Sequence, residues 1–99
     1  MAINSLHVIA RLKAKEDKRN ELRSLLSGLV SLTREEPGCL SYELLENMNN
    51  ELEFTFVEEW RDEQALSKHF ETDHIQNAIE MFPELVDGDL RLTKYQKVK

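Results

Sequence analysis

Cysteine is almost missing from this sequence. Cys39 stands alone among 99 residues, which excludes an internal disulfide and fits a reducing compartment. Its apolar neighbour Leu40 and its strand context mark it as a small buried hydrophobe rather than a nucleophile. Glycine and proline are nearly as scarce, at three and two. Gly28, Gly38 and Gly88 are isolated, so there is no glycine-rich phosphate loop. No basic cluster interleaves with aromatics and the formal charge is −6, so neither nucleic acid nor an anionic membrane is an expected partner. No apolar run approaches the length of a membrane span. The opening MAINSLHVIA also lacks the basic start and long apolar segment of a signal peptide, and a cytoplasmic location is expected. Repeats and low-complexity segments are absent too. What remains is 40% hydrophobic and 32% charged, the balance of a single globular domain over residues 1–99 with one core.

Two periodicities organise the chain. Leu6 to Leu12 alternates, with Leu6, Val8, Ala10 and Leu12 opposite His7, Ile9 and Arg11, and reads as a first strand. After a helix start at Lys15-Glu16-Asp17, Leu22, Leu25, Leu26, Leu29 and Val30 recur at helical spacing to about Thr33. Pro37 and Gly38 end that helix. Cys39 to Asn47 is a second strand, setting Leu40, Tyr42 and Leu44 against Cys39, Ser41 and Leu45. The polar Asn47 to Glu51 stretch then turns the chain into a third strand, Phe54 to Trp60. Asp62 caps a short helix with Ala65, Leu66, His69 and Phe70 on one face. Thr72 caps the next, with Ile75, Ala78, Ile79 and Phe82 as its stripe and Pro83 as its stop. Leu90 to Val98 is a fourth strand. The order βαββαβ predicts an α+β, ferredoxin-like antiparallel sheet with helices on one face. Apolar residues occur on both faces of the first three strands, and a second copy of the chain is the simplest cover for the other face.

The chemistry concentrates between Phe54 and His74. Alternation puts Phe54, Phe56, Glu58 and Trp60 on one side of the third strand, with two histidines just beyond. Rings with a few polar groups suit a pocket for a flat organic molecule, although the same rings also suit a core. His69 and His74 are too irregularly spaced for a helical metal pair and no zinc signature is present, so no metal is expected. A neutral imidazole can remove a phenolic or enolic proton. Glu58 either orients that base or forms an ion pair with Arg11, Arg61 or Arg91.

FVEEWRDEQALSKHFETDH, preceded by EEPGCLSYEL, resembles the antibiotic biosynthesis monooxygenase family, in particular small bacterial members akin to quinol monooxygenases. The similarity covers essentially the whole chain: the VIARLKAK strand, the EEPGC turn, the E-x-W strand end, the A-L-x-x-H helix and the T-x-H helix start. It implies a homodimeric α/β barrel and oxidation of a small phenol or hydroquinone to a quinone by O2 without any cofactor. It assigns His69 as base or substrate hydrogen-bond partner and makes Trp60 and Tyr42 walls. Phe56, Glu58 and His74 complete the substrate-binding set, the last two as supporting groups. Haem-degrading relatives carry a first-strand Asn, where this chain reads His7-Val8-Ile9-Ala10, and a late-helix His, where it reads Asn77-Ala78-Ile79-Glu80. Two other readings fit the scaffold: a small-molecule-binding or stress-associated dimer without turnover, and an isomerase or degrading enzyme for a phosphorylated autoinducer-type sugar.

Overall fold

A computed structural model describes residues 4–99 and shows the ferredoxin-like arrangement expected from the sequence. Its elements are β1 (Leu6–Lys13), α1 (Arg19–Arg34), β2 (Cys39–Asn47), β3 (Asn50–Trp60), α2 (Glu63–His69), α3 (Asp73–Leu85) and β4 (Arg91–Gln96). The sheet is antiparallel throughout, in the order β2-β3-β1-β4. Val8, Ala10 and Leu12 of β1 and Phe54, Phe56 and Trp60 of β3 bury one face of it. Leu22, Leu26 and Leu29 of α1, Ala65 and Leu66 of α2, and Ile75 and Ala78 of α3 close the core from above.

Several boundaries differ from the sequence reading, each for a physical reason. The acidic Glu16 and Asp17 precede α1 instead of occupying its first turn, where Glu21 sits. β3 begins at Asn50, earlier than Phe54, because Asn47 and Asn50 pair directly across a turn at Met48-Asn49. A register shift between Cys39 and Ser41 breaks the alternation of β2. Leu40 is therefore 46% exposed while Tyr42 is buried. Pro83 lies inside α3 and does not stop it. Only the last turn follows Pro83, so the hydrogen bond its ring nitrogen cannot donate is the main loss. β4 spans Arg91–Gln96, shorter than the Leu90 to Val98 stretch. Cys39 is half-buried, and burial pushes its thiol up to about 11, which leaves it a poor nucleophile.

Two local devices set the geometry beneath the helices. The Asp62 carboxylate accepts from the Ala65 amide at 2.9 Å and starts α2 immediately after β3. Gly38 adopts φ 87°, and a Cβ there would stand 2.6 Å from the Ala65 Cβ. Only glycine permits both the left-handed turn and that close approach of the α1–β2 connection to α2. The turn is fastened when the Arg61 amide donates to the Gly38 carbonyl at 2.8 Å.

The opposite face of the sheet is mixed in character. Ile9 and Val57 are half-buried neighbours at its centre. Around them stand His7, Arg11, Glu43, Thr55 and Glu59, with Leu45 and Tyr95 about half exposed. Among the described residues no helix is long and apolar enough to cross a membrane.

Candidate active site

A narrow cavity lies between the core face of the sheet and helices α2 and α3. Tyr42, Phe56, Glu58 and His69 supply its ring and polar wall, and Ala10 and Leu12 its floor. Phe70, Ile79, Phe82, Leu90 and Leu92 form its apolar rim. The free space is about 40 Å³, little more than one water's share of liquid volume. A larger groove between α1 and β2 carries Arg23, Arg34, Glu43 and Glu46 and opens to water. The smaller cavity holds the more consequential chemistry, because its polar groups are buried.

Strand geometry explains this wall. Phe56, Glu58 and Trp60 share one side of β3, and Tyr42 pairs with Glu58 across the ladder. Tyr42 stacks on Phe56 with ring centroids 4.8 Å apart, and the two rings make one apolar surface. The guanidinium of Arg34 donates to the Tyr42 carbonyl at 2.9 Å, tying the end of α1 to β2. Burial holds the phenol of Tyr42 well above its ordinary range, so it remains a neutral hydroxyl at physiological pH.

Glu58 is 4% exposed, and none of Arg11, Arg61 and Arg91 pairs with it. Its Oε1 instead accepts from the indole Nε1–H of Trp60 at 2.8 Å. Desolvation dominates and raises its carboxyl from 4.5 to about 7, with the indole hydrogen bond opposing. Trp60 is fully buried but lies outside the cavity lining, behind Glu58 and 4.7 Å from the His69 ring.

His69 ends α2 and is 2% exposed. Its Nδ1 lies 2.8 Å from Glu36 Oε2, and His74 Nε2 lies 2.6 Å from that same oxygen. A carboxylate only accepts, so both ring nitrogens donate to it. His69 Nε2 makes no hydrogen bond among the described residues, and the His69 side chain lines the cavity. Burial lowers the imidazolium pKa of His69, with Glu36 pulling the other way. Burial thus favours the neutral imidazole at His69, and Glu58 holds its proton into the neutral range. His74 touches Glu36 and stays outside the cavity lining, and His7 lies on the opposite sheet face, 3.9 Å from Glu59.

Glu36 did not figure in the sequence reading as a functional residue. The only local cue is its place before Pro37-Gly38, a turn whose tightness dictates where the preceding side chain points. Glu36, His69 and His74 are also the described residues that could gather around a metal ion. Their 2.6 and 2.8 Å separations are hydrogen-bond lengths. Donors sharing a tetrahedral ion at 2.0–2.1 Å stand roughly 3.3 Å apart, so the geometry is that of a hydrogen-bonded carboxylate.

Comparison with known proteins adds an independent line. Residues 5–81 match the family model described as antibiotic biosynthesis monooxygenase. YcnE of Bacillus subtilis is 35% identical over 86% of this chain and 90% of its own length. Protein sll1783 of Synechocystis is 35% identical over 90% of this chain, which spans 60% of that longer protein. The crystal structure of PA3566 from Pseudomonas aeruginosa superposes with a TM-score of 0.94 at 26% identity, covering 100% of this chain and 99% of that one.

The buried carboxyl predicts a pH signature. A carboxyl whose folded value lies above its unfolded value destabilises the fold as pH rises from 4.5 through about 7. Glu58→Gln keeps an acceptor for the Trp60 indole and removes that penalty. Urea unfolding at pH 8 should show the variant more stable by about 2–3 kcal/mol, with the advantage gone below pH 4.5. A stability difference between parent and variant that stays the same from pH 4.5 to pH 8 would show that Glu58 ionises at no cost.

Proposed function

The chain belongs to the antibiotic biosynthesis monooxygenase family, and from that membership we propose that it oxidises a small phenol or hydroquinone with O2, without a bound cofactor. The observation that carries this reading is the pairing of one unpartnered imidazole nitrogen, His69 Nε2, with a buried aromatic wall. A phenol seated against Tyr42 and Phe56 directs its hydroxyl toward that nitrogen. Loss of the proton to Nε2 makes the ring electron-rich enough to react with O2 directly. One oxygen atom bonds to a ring carbon, the O–O bond breaks, the C–H proton leaves, and the second oxygen departs as water. The substrate supplies all the electrons, so a phenol gives a quinone and a hydroquinone gives a hydroxyquinone, each with one water. A protonated Glu58 donates a hydrogen bond to the developing carbonyl. The remaining apolar lining excludes water from the reactive intermediate.

A cavity of about 40 Å³ must widen to accept a ring, since a benzene-sized guest occupies a void of roughly 150 Å³. The half-buried rim residues Phe70, Phe82, Leu90 and Leu92 are the ones free to part. The alternative of a phosphorylated sugar gains no support, because no Lys or Arg is among the lining residues. The acting form in this reading is a homodimer whose two sheets meet through the Ile9 and Val57 face, burying the apolar centre of a surface otherwise left to water.

His69→Ala should reduce O2 uptake with a panel of substituted hydroquinones by about 100-fold or more, in chelator-treated buffer. Uptake equal to the parent's would remove His69 from the reaction. Light scattering at micromolar concentration should report twice the chain mass, and Val57→Lys should halve it. A folded monomer in the parent would refute the face-to-face assembly.

A further inference from the structure

Glu36 performs a task that no other group near the cavity performs. It reaches out of the α1–β2 connection and offers a single oxygen, Oε2, to two imidazoles from different helices. The exposure of the three side chains is graded, with His69 at 3%, Glu36 at 9% and His74 at 18%. Thr72 fixes the outer end. Its hydroxyl has one hydrogen, which it donates to the His69 carbonyl at 2.7 Å. The 3.3 Å contact between Thr72 Oγ1 and His74 Nε2 therefore has the hydroxyl accepting, and His74 Nε2 carries the proton. His74 thus donates to both Thr72 and Glu36. With that donor in place, Oε2 is left to accept from His69 Nδ1–H.

We propose that Glu36 and His74 are positioning residues for His69: the carboxylate oxygen, held by His74, fixes His69 as the Nδ1–H tautomer and so presents a bare Nε2 to the cavity. The assignment rests on the reading of His69 as the cavity's base. In water a free imidazole favours the opposite tautomer, with the proton on Nε2, so the base exists in usable form only because the far side of the ring is occupied. When Nε2 takes a proton, the resulting imidazolium already donates to the carboxylate, and no group has to move to stabilise it. Removal of Glu36 alone would leave a buried ring free to turn its proton toward the cavity.

The tautomer is directly measurable by ¹⁵N NMR of imidazole-labelled protein, whether or not turnover is seen. The parent should show His69 predominantly as Nδ1–H at neutral pH. A Gln carbonyl oxygen has two lone pairs and could still accept from both rings, so the informative variant is Glu36→Met, which keeps the length of the side chain and removes both acceptor oxygens. In that variant the Nε2–H form of His69 should become the major one. His74→Gln retains an N–H donor to Glu36 without a titrating ring and should keep His69 as Nδ1–H. If His69 is Nε2–H in the parent, or if Glu36→Met leaves its tautomer unchanged, the proposal is overturned. Loss of the Nδ1–H form in His74→Gln also overturns it, because a donor alone would not then suffice. Oxygen uptake on the same samples separates the two readings: the expected tautomers without turnover would preserve the positioning role and remove the oxygenase one.

Discussion

One carboxylate oxygen shared by two imidazoles holds three separate segments of this protein together. Glu36 enters from the α1–β2 connection, His69 from the end of α2 and His74 from the first turn of α3. Charge-assisted hydrogen bonds of this kind contribute roughly 1.5–3 kcal/mol each when both partners are present. Removing one partner leaves a buried polar group unsatisfied, so the three residues stand or fall together. The arrangement depends on Gly38, whose turn lets the Glu36 connection lie against Ala65, and on Asp62, which starts α2 early enough to bring His69 over the sheet.

Burial then divides the labour inside the cavity. Glu58 and His69 are both removed from water, and desolvation favours the neutral form of each. A neutral carboxyl donates and a neutral imidazole accepts, so one apolar chamber contains an acid and a base at neutral pH. Glu58 meets only an indole N–H, and although the Glu36 carboxylate favours the imidazolium of His69, burial outweighs it. The relatives named above share the scaffold, and family membership supplies the expectation of oxygen chemistry. In the proposed function, His69 and Glu58 are the residues that activate a phenol.

Much of the frame was legible in the residues because it follows from periodicity. Alternation in β1 and β3 placed Val8, Ala10, Phe56, Glu58 and Trp60 on one face, and helical spacing gave the buried stripe of α1. Tyr42 and Glu58 could be brought to one wall because antiparallel pairing follows from the hairpin. Glu36 escaped because it lies in a connection, 33 residues from His69 and 38 from His74, and no period fixes where a loop side chain points. Leu40 misled for a related reason, since a register shift cancels alternation without any mark in composition. Trp60 had the right face but the wrong depth, and which ring reaches a cavity and which backs it depends on helix placement.

The central claim is that the space beside His69 opens to hold an aromatic hydroxyl against a bare imidazole nitrogen. The most direct measurement is a high-resolution crystal structure with resorcinol, a dihydroxybenzene that cannot form a quinone by simple two-electron loss. The ring should lie between Phe56 and the parted side chains of Phe70 and Phe82, with one hydroxyl within hydrogen-bond distance of His69 Nε2. Resorcinol bound elsewhere, with the cavity still closed, would contradict the account.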